Sequence, residues 1–405
     1  MFRRPLRSEE LIDWARRATG LEDFGDAAFR EGLEVFLQAC SEEAQLNLFG
    51  YYGTRWDVRR FLSNLLRLRH EELKAPEILE QRIERPIFIT GLPRSGTTFL
   101  HKLMALDPGN LAPRVWQLIH PYPPLGSAPR RDRRRQQVNR QLRMFEMMAP
   151  EFRRMYPINA DSPQECSEIT AHVFASLRFD STYCVPSYRQ WLDGIGHLEA
   201  YRFHRRFLQH LQYQARGAGT WVLKCPDHVF ALDAIRQVYP DARLVFVHRD
   251  PLRVMASVAR LTEVLRRPFT RHIDRPALGR QECERWCAAT ELMIAAAEEE
   301  PFAERIFHLH HHELVRDPLN TVRTLYEHFG LCLDPRAAAL IGDAIEENPD
   351  GGYGVNQYRF DTYAIDPQSL QERSAAYMAR FGVPTNLARP SRPTRASTRK
   401  RLARL

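Results

Sequence analysis

Hydrophobic residues along the chain follow two patterns, one typical of helices and one typical of buried strands. In the first 80 residues they recur at helical spacing, and the first such stretch opens with Ser8 and two acidic residues, a common start of a helix. Short apolar runs follow, each leading into a helical pattern: PIFIT up to Gly91, WVLK at 221–224, ARLVFV at 242–247 and RIFHLH at 305–310. Apolar strands that alternate with helices indicate a parallel α/β sheet.

The same pattern divides the chain into regions. Residues 1–80 predict a helical N-terminal extension, and residues 81–384 predict an α/β domain in which 125–220 form a mostly helical insertion between the first two strands. Residues 385–405 are rich in Pro, Ser, Thr and Arg, a composition that predicts a basic, flexible tail. The stretch RRDRRRQQVNRQLR at 130–143 predicts a basic helix face, which is either solvated or in contact with an anionic surface.

Positive charge is concentrated in that tail. The 405 residues have a formal net charge of +8, and the tail contributes six Arg and one Lys without an acid, so the rest of the chain is nearly neutral. A nearly neutral body argues against a nucleic-acid-binding protein. No apolar run is long enough for a transmembrane helix, the N-terminus lacks the apolar core of a secretory signal, and the seven cysteines are scattered. We therefore predict reduced thiols, a cytoplasmic location and no integral membrane segment.

The loop after the first apolar run combines groups that bind anions. The segment PIFITGLPRSGTTFLHKLM has two glycines five positions apart, Gly91 and Gly96, between a strand and a helix start. In such a loop, backbone N–H groups and the helix N-terminus cradle a phosphate. Side chains at the same junction can add donors and positive charge: Arg94, Ser95, Thr97 and Thr98. An ordinary strand-to-helix turn is the alternative interpretation, and the coincidence of these groups favours a phosphate site.

This loop differs from the loop that binds nucleoside triphosphates. That loop needs Gly-Lys-Ser/Thr, with the lysine on the terminal phosphates and the hydroxyl on magnesium. Here Gly96 is followed by Thr97 and Thr98, and the positive charge precedes the glycine at Arg94. The fold class we predict is α/β, with a P-loop-like parallel sheet flanked by helices, a helical N-terminal extension and a helical insertion. The loop is therefore predicted to bind a phosphate group, but not the magnesium complex of a nucleoside triphosphate.

Several segments resemble the sulfotransferase family, and its bacterial branch in particular. TGLPRSGTTFL resembles the family's 5′-phosphosulfate loop, and LHKLMALDPGNLAPRVWQ resembles the continuation of that loop. LVFVHRDPLRVMASVARL resembles the 3′-phosphate site, in which Arg249 at a strand end and Ser257 in the next helix hold the 3′-phosphate of the donor. DSPQECSEI, WVLKCPDH and DPLNTVRTLYEHFGL follow the family's order. The resemblance extends from about Pro86 to Pro335.

The resemblance implies transfer of a sulfuryl group from 3′-phosphoadenosine 5′-phosphosulfate (PAPS) to a hydroxyl or amine of a small-molecule acceptor. Fixed cations and backbone N–H groups can replace a metal ion, because the transferred group carries less negative charge than a phosphoryl group. Arg94 and Lys224 would supply charge at the bridging oxygen, with a solvated strand-end lysine as the alternative for Lys224. We expect a homo-oligomer to be possible and expect no nucleic-acid partner. The residues expected to bind the donor are Arg94, Ser95, Gly96, Thr97, Thr98, Arg249 and Ser257.

The base that takes the acceptor's proton has two candidates, Glu165 and His228. Glu165 is predicted to lie in the first turn of a helix opened by Asp161 or Ser162, where a capping box between Ser162 and Glu165 is the structural alternative. Relatives often carry Glu where this chain has Gln117, which cannot accept a proton. This departure favours Glu165 and His228 as the base.

Three questions stay open at this level. A divergent P-loop kinase and a non-enzymatic protein that binds an anionic surface are alternative functions. The donor is uncertain because only Arg359 matches the basic loop that relatives carry near the C-terminus, although Arg249 and Ser257 argue for PAPS. The acceptor is unidentified, since nothing in 125–220 specifies a sugar, phenol, lipid or peptide.

Overall fold

The computed structural model describes residues 5–123, 132–215, 219–347 and 359–384. The predicted tail at 385–405 lies outside the described residues. The strands of the described part are β1 (Ile87–Gly91), β2 (Asn110–Leu111), β3 (Thr220–Lys224), β4 (Arg243–His248) and β5 (Ile306–His310). They form one parallel sheet in the order β2-β3-β1-β4-β5. The four apolar runs are strands as the sequence predicts, and the two-residue β2 has no apolar run to mark it.

Both faces of the central strand β1 are buried, but in different hydrophobic clusters. Phe88 packs with the large cluster that also contains side chains of the N-terminal helices, whereas Ile87 and Ile89 pack with a smaller cluster on the other face. Successive strand residues point to opposite faces, so a strand covered by helices on both sides is apolar throughout. This explains the unbroken apolar runs.

Helices surround the sheet on both faces. Their bounds are α1 (Ser8–Thr19), α2 (Phe29–Glu42), α3 (Leu48–Lys74), α4 (Thr97–Met104), α5 (Val115–Ile119), α6 (Arg134–Met148), α7 (Phe152–Met155), α8 (Ser167–Thr170), α9 (Arg178–Thr182), α10 (Pro186–Ile195), α11 (Leu198–Ala215), α12 (Leu232–Val238), α13 (Pro251–Arg266), α14 (Arg275–Glu298), α15 (His311–Arg316), α16 (Pro318–His328), α17 (Pro335–Glu347) and α18 (Pro367–Phe381). Short 3-10 helices lie at Pro76–Ile78, Ala171–Val173, Pro226–Ala231, Ala303–Arg305 and Phe360–Tyr363. None of the helices within the described ranges is long and apolar enough to cross a membrane.

The N-terminal helices α1–α3 share their core with the sheet. Buried residues from Leu6 to Val383 belong to one continuous hydrophobic cluster. A buried ion-pair network connects α3 to the helical insertion: Arg60 Nη2 lies 2.6 Å from Asp57 Oδ1 and 2.6 Å from Glu168 Oε1. The extension therefore packs as part of the wall around the sheet, and its boundary at residue 80 stays a prediction.

Candidate active site

The loop between β1 and α4 is shaped by backbone conformations that few residues tolerate. Gly91 has a φ of 127°, and a Cβ at this position would lie 2.4 Å from the carbonyl oxygen of Val247 on β4. Gly96, just before α4, has a φ of 98°, and Arg94 has a φ of 62°. Glycine suits a position where the chain takes such a conformation or approaches another backbone this closely. The loop therefore turns tightly, and α4 begins at Thr97, two residues earlier than its apolar pattern indicates.

The two segments with predicted phosphate-binding residues meet at the carboxyl edge of the sheet. Arg94 Nε donates to Ser257 Oγ over 3.1 Å, and Arg94 Nη1 donates to the carbonyl oxygen of Met155 over 2.8 Å. Arg249 Nη1 donates to the carbonyl oxygen of Arg94. Because β1 and β4 are parallel neighbours, the residues that follow them emerge side by side. Arg94, Arg249 and Ser257 therefore form one cluster, which we call the cationic cluster.

Positive charge in the cationic cluster is only partly hydrated. Burial is the main reason that the pKa of Arg249 falls to about 10, and the neighbouring cations of Arg94 and Arg253 lower it further. The Asp250 carboxylate opposes this effect, and it also accepts the backbone N–H of Leu252 over 2.9 Å at the start of α13. A bound anion would relieve the repulsion between the guanidinium groups, so the cluster suits a phosphate.

Hydroxyl groups complete the loop. The Ser95 hydroxyl is buried, and no described residue hydrogen-bonds to it. Thr98 Oγ1 accepts a hydrogen bond from Lys224 Nζ over 3.0 Å, and Thr97 and Thr98 both line the cavity described below. Ser95 has no solvent exposure and is not among the residues that line the cavity, so Thr97 and Thr98 are the loop hydroxyls that could reach a ligand there.

Lys224 ends β3 and is held inside the protein. Its side chain has no solvent exposure, and its Nζ lies 2.5 Å from Glu165 Oε1 and 3.4 Å from Tyr156 OH. Tyr156 OH lies 3.3 Å from the same carboxylate oxygen. The alternative of a solvated lysine at a strand end is therefore wrong. Glu165 keeps 27% of its side chain exposed, so this ion pair has one buried member and one accessible member.

Glu165 lies two residues before helix α8, which begins at Ser167, so the helix turn predicted to contain Glu165 is wrong. A tertiary contact holds the chain at this point, because Cys166 N donates to the carbonyl oxygen of Lys224 over 3.1 Å. No capping box forms with Ser162, whose hydroxyl accepts a backbone N–H three residues earlier over 3.0 Å. The carboxylate is thereby left for the lysine.

His228 lies apart from these groups. Its ring is fully buried, Nδ1 is hydrogen-bonded to the hydroxyl of Tyr201, and the ring packs edge-on against Phe88 with centroids 5.0 Å apart. Burial is the main reason that the pKa of His228 lies well below its usual range. Of the two candidate bases, Glu165 is among the residues that line the cavity and His228 is not.

A cavity of about 2040 Å³ opens at the carboxyl edge of the sheet. Polar groups of the site line one part of it: Arg94, Thr97, Thr98, Glu165, Arg249 and Ser257. Apolar and aromatic side chains, mostly from α3, α6, α13 and their neighbours, line another part: Phe49, Tyr52, Trp56, Phe145, Phe152, Leu261, Leu265 and Phe269. Along α13 the lining changes from Ser257 to Leu265. The cavity therefore joins a polar edge, which carries the cationic cluster, to an apolar chamber.

Comparison with known proteins decides the family. Residues 86–335 match the model of the sulfotransferase family, and this range is more than half of the 405 residues. The chain belongs to the sulfotransferase family. The matched range begins just before β1 and ends at the start of α17, so it contains all the predicted donor-binding residues.

Solved structures and a curated relative are similar to this sulfotransferase along most of its length. Sulfotransferase STF9 from Mycobacterium avium is 27% identical, with a TM-score of 0.85 over 95% of this chain and 99% of that chain. Sulfotransferase STF1 from Mycobacterium tuberculosis is 29% identical, with a TM-score of 0.79 over 92% and 99%. Omega-hydroxy-beta-dihydromenaquinone-9 sulfotransferase Stf3 from Mycobacterium tuberculosis is 24% identical over 375 residues, which are 85% of this chain and 89% of the relative. The predicted α/β fold is confirmed.

Two polar residues at the cavity of this sulfotransferase are missing from the residues that the sequence predicts. Tyr156 reaches Glu165 and Lys224 only through the fold, and nothing in its local sequence marks it. Asp227 lines the cavity just after β3, where the rule that ligands bind at strand ends could have found it. Burial raises the pKa of Asp227 to about 6, the Arg285 cation opposes the increase, and the Glu165 charge adds to it.

The sequence predicts departures from the family pattern at Gln117 and in the basic loop near the C-terminus, of which it keeps Arg359. Gln117 Oε1 accepts the backbone N–H of Arg114 over 2.9 Å, so its amide caps the start of α5. Arg359 lines the cavity, while the residues just before it, 351–358, lie outside the described part of the chain. In the described ranges no three His, Cys, Asp or Glu side chains are arranged to hold a metal ion.

Proposed function

We propose that this sulfotransferase takes the sulfuryl group from PAPS and transfers it to a hydroxyl group of a bulky, largely apolar small molecule. One observation carries the proposal. The loop after β1 and the segment from the end of β4 into α13 are in contact through Arg94, Arg249 and Ser257, at the polar edge of a largely apolar cavity. A nucleotide with phosphates at both its 5′ and 3′ positions needs two anion sites on one face. The cationic cluster is placed for such a ligand.

The groups available match the donor's charges. The 5′ side would lie against the loop, where Gly96 precedes α4 and Thr97 and Thr98 begin it. The 3′-phosphate would lie against Arg249 and Ser257, and its charge would offset the repulsion that lowers the pKa of Arg249. These assignments follow the family resemblance residue by residue.

Charge on the leaving oxygen would be stabilised by two cations. As the acceptor oxygen bonds to sulfur, the bond from sulfur to the bridging oxygen of the 5′-phosphate breaks, and negative charge develops there. Arg94 would face this oxygen from the loop, and Lys224 would act through Thr98, to which it donates over 3.0 Å. Preorganised donors in a buried place are effective because they need no rearrangement when charge develops.

Glu165 is the base in this proposal. It lines the cavity, is accessible, and is held by Lys224 and Tyr156 on one oxygen, which leaves the other oxygen to take the acceptor's proton. His228 is buried away from the cavity, which makes it the weaker candidate. Asp227 is a second carboxyl group at the same cavity, and its pKa of about 6 would also permit proton transfer near neutral pH.

The cavity favours a large apolar acceptor. Its volume of about 2040 Å³, which would hold the donor as well as the acceptor, is about twice the upper end of the 300–1,000 Å³ range that is typical of small-molecule pockets. Aromatic side chains such as Phe145, Phe152 and Phe269 line it beyond the cationic cluster. The name of the curated relative Stf3 specifies a hydroxylated menaquinone derivative, an acceptor of this kind. We extend only the class, a hydroxyl group on a bulky apolar body, to this protein.

Calorimetry with adenosine 3′,5′-bisphosphate tests the donor site. We expect binding in buffer with EDTA, unchanged by added Mg²⁺. Absence of binding, or binding only with Mg²⁺, would contradict the proposal, and magnesium-dependent ATP turnover would support a kinase instead. The cytoplasmic location, the homo-oligomer and the lack of a nucleic-acid partner stay predictions.

A further inference from the structure

The N-terminal part of α3 carries a row of exposed large apolar side chains. Leu48, Tyr52 and Trp56 are 61%, 62% and 47% exposed, and their spacing of four residues places them on one face of the helix. Tyr52 and Trp56 also line the cavity. This row therefore borders the cavity mouth and continues outward from it to Leu48.

The C-terminal part of α6 carries a second exposed apolar pair at the same mouth. Met144 and Met147 are 50% and 75% exposed, and Met144 lines the cavity. Phe269 connects the two helices: its ring centroid lies 5.4 Å from that of Phe49 on α3 and 6.2 Å from that of Phe145 on α6. We call the five exposed side chains the rim: Leu48, Tyr52, Trp56, Met144 and Met147.

Arginines flank the rim on α6. Arg140 and Arg143 are exposed and lie one turn before Met144 and Met147, respectively, so they share their side of the helix. No acidic residue occurs between Arg133 and Phe145. The rim thus combines aromatic and aliphatic groups with adjacent guanidinium groups, while isolated exposed apolar residues are ordinary on a soluble protein.

We propose that the rim docks on the surface of an anionic lipid bilayer, so that the cavity mouth opens towards the lipid. Tyr and Trp are favoured at membrane interfaces, Leu and Met can enter the acyl boundary, and arginines attract acidic headgroups. A second copy of the chain fits less well, because a two-fold contact through this patch would bring both copies of Arg140 and Arg143 into one interface, where their like charges repel. This contact with the bilayer would let an apolar acceptor pass from the bilayer into the cavity. Only this role of the contact rests on the proposed function.

The test measures binding of the full chain to vesicles of equal parts phosphatidylcholine and phosphatidylglycerol, without donor or acceptor. The variant Leu48→Gln/Met147→Gln removes the two rim residues that do not line the cavity. The control Leu73→Gln/Leu79→Gln removes two exposed leucines near the other end of α3, with Leu73 roughly 37 Å from Leu48 along the helix axis. The tail at 385–405 is the same in all three proteins, so its own attraction to acidic lipid cancels.

We expect the rim variant to bind the vesicles about tenfold more weakly and the control variant to stay within about twofold of the original chain. Arg140→Gln/Arg143→Gln should weaken binding to the acidic vesicles and leave binding to pure phosphatidylcholine unchanged. Equal melting temperatures and equal affinity for adenosine 3′,5′-bisphosphate would show that the variants are folded.

Three results would overturn the proposal. These are absence of vesicle binding by the full chain, equal binding by the chain and its rim variant, and a change of molar mass in light scattering when the rim is altered, which would make it an interface between copies. None of them depends on the donor. A failed calorimetric test with the bisphosphate would contradict the proposed function and leave the vesicle result to stand on its own.

Discussion

The two sides of the cavity are built in different ways. One is the polar edge with the cationic cluster, which we call the donor edge because we propose that the donor binds there, and the other is the apolar chamber. The donor edge consists of two short stretches, each of which follows a strand directly, and the two strands β1 and β4 are neighbours in the sheet. The chamber draws its walls from α3, α6, α13 and Phe269, which are up to 220 positions apart in sequence. The difference teaches that each polar stretch is shaped locally, by the residues that directly follow one strand, whereas the apolar chamber is formed by long-range packing of helices. Variants that affect one side and spare the other can test this separation.

The largest effect is expected from Glu165→Gln. The amide cannot accept a proton, so turnover should fall by about 10²–10⁴-fold while the affinity for adenosine 3′,5′-bisphosphate stays unchanged. Steady-state kinetics and calorimetry on the same preparation measure both quantities. Asp227→Asn is the matched control, and a greater loss of turnover in that variant would move the base to Asp227. Loss of bisphosphate affinity in Glu165→Gln would place this residue at the donor edge.

Arg249→Ala should weaken bisphosphate binding by about 100-fold or more, because it removes charge-assisted hydrogen bonds to a phosphate in a partly buried place. Arg323→Ala, an exposed arginine on α16, is the control and should bind normally. Calorimetry measures both. If Arg249→Ala binds the bisphosphate as tightly as the original chain does, Arg249 and its cluster do not bind the donor.

Asp227 lines the cavity just after β3, and its ionisation is expected to affect the stability of the protein. Its pKa in the folded protein, about 6, lies above the usual aspartate value of 3.8, so the folded state binds more protons between these pH values. The stabilisation from this group is therefore complete below about pH 4 and is lost as the pH rises through about 6. Asp227→Asn should be more stable than the original chain above pH 6, by up to about 3 kcal/mol.

Thermal melts of Asp227→Asn from pH 4 to 7.5 check this sign. The exposed Asp13→Asn serves as the control and should show no such dependence. A stability gain that is the same at every pH would mean that packing, rather than the charge of Asp227, is responsible.

The smallest effect is expected in the chamber. Phe145→Ala should raise the KM for a hydrophobic alcohol acceptor by about tenfold, since part of the apolar contact is lost, and should leave the bisphosphate affinity unchanged. Phe307→Ala on β5, which removes the same side chain outside the cavity lining, is the control. If bisphosphate affinity falls together with acceptor affinity, the two sides of the cavity are coupled.

Most residues of the donor edge could be predicted from the sequence, whereas most other residues of the cavity could not. Arg94 and Arg249 follow short apolar runs that are typical of buried strands, and parallel strands bring their carboxyl ends to one edge. The sequence predicts Glu165 as a candidate base in the first turn of a helix, whereas the structure has it at the cavity and before the helix. A capping box is a local preference, and here the tertiary hydrogen bond of Cys166 to Lys224 and the ion pair of Glu165 with Lys224 outweigh it.

The order of elements, the sheet type and the chemistry of the loop after β1 are properties of the sequence alone, because they depend on periodicity and on glycines at positions such as Gly91 and Gly96. The burial of Lys224, the isolation of His228, the contact of Tyr156 with Glu165 and the formation of the rim were decided by the tertiary structure. Each depends on which distant segments pack together, and no pattern within a few residues contains that information.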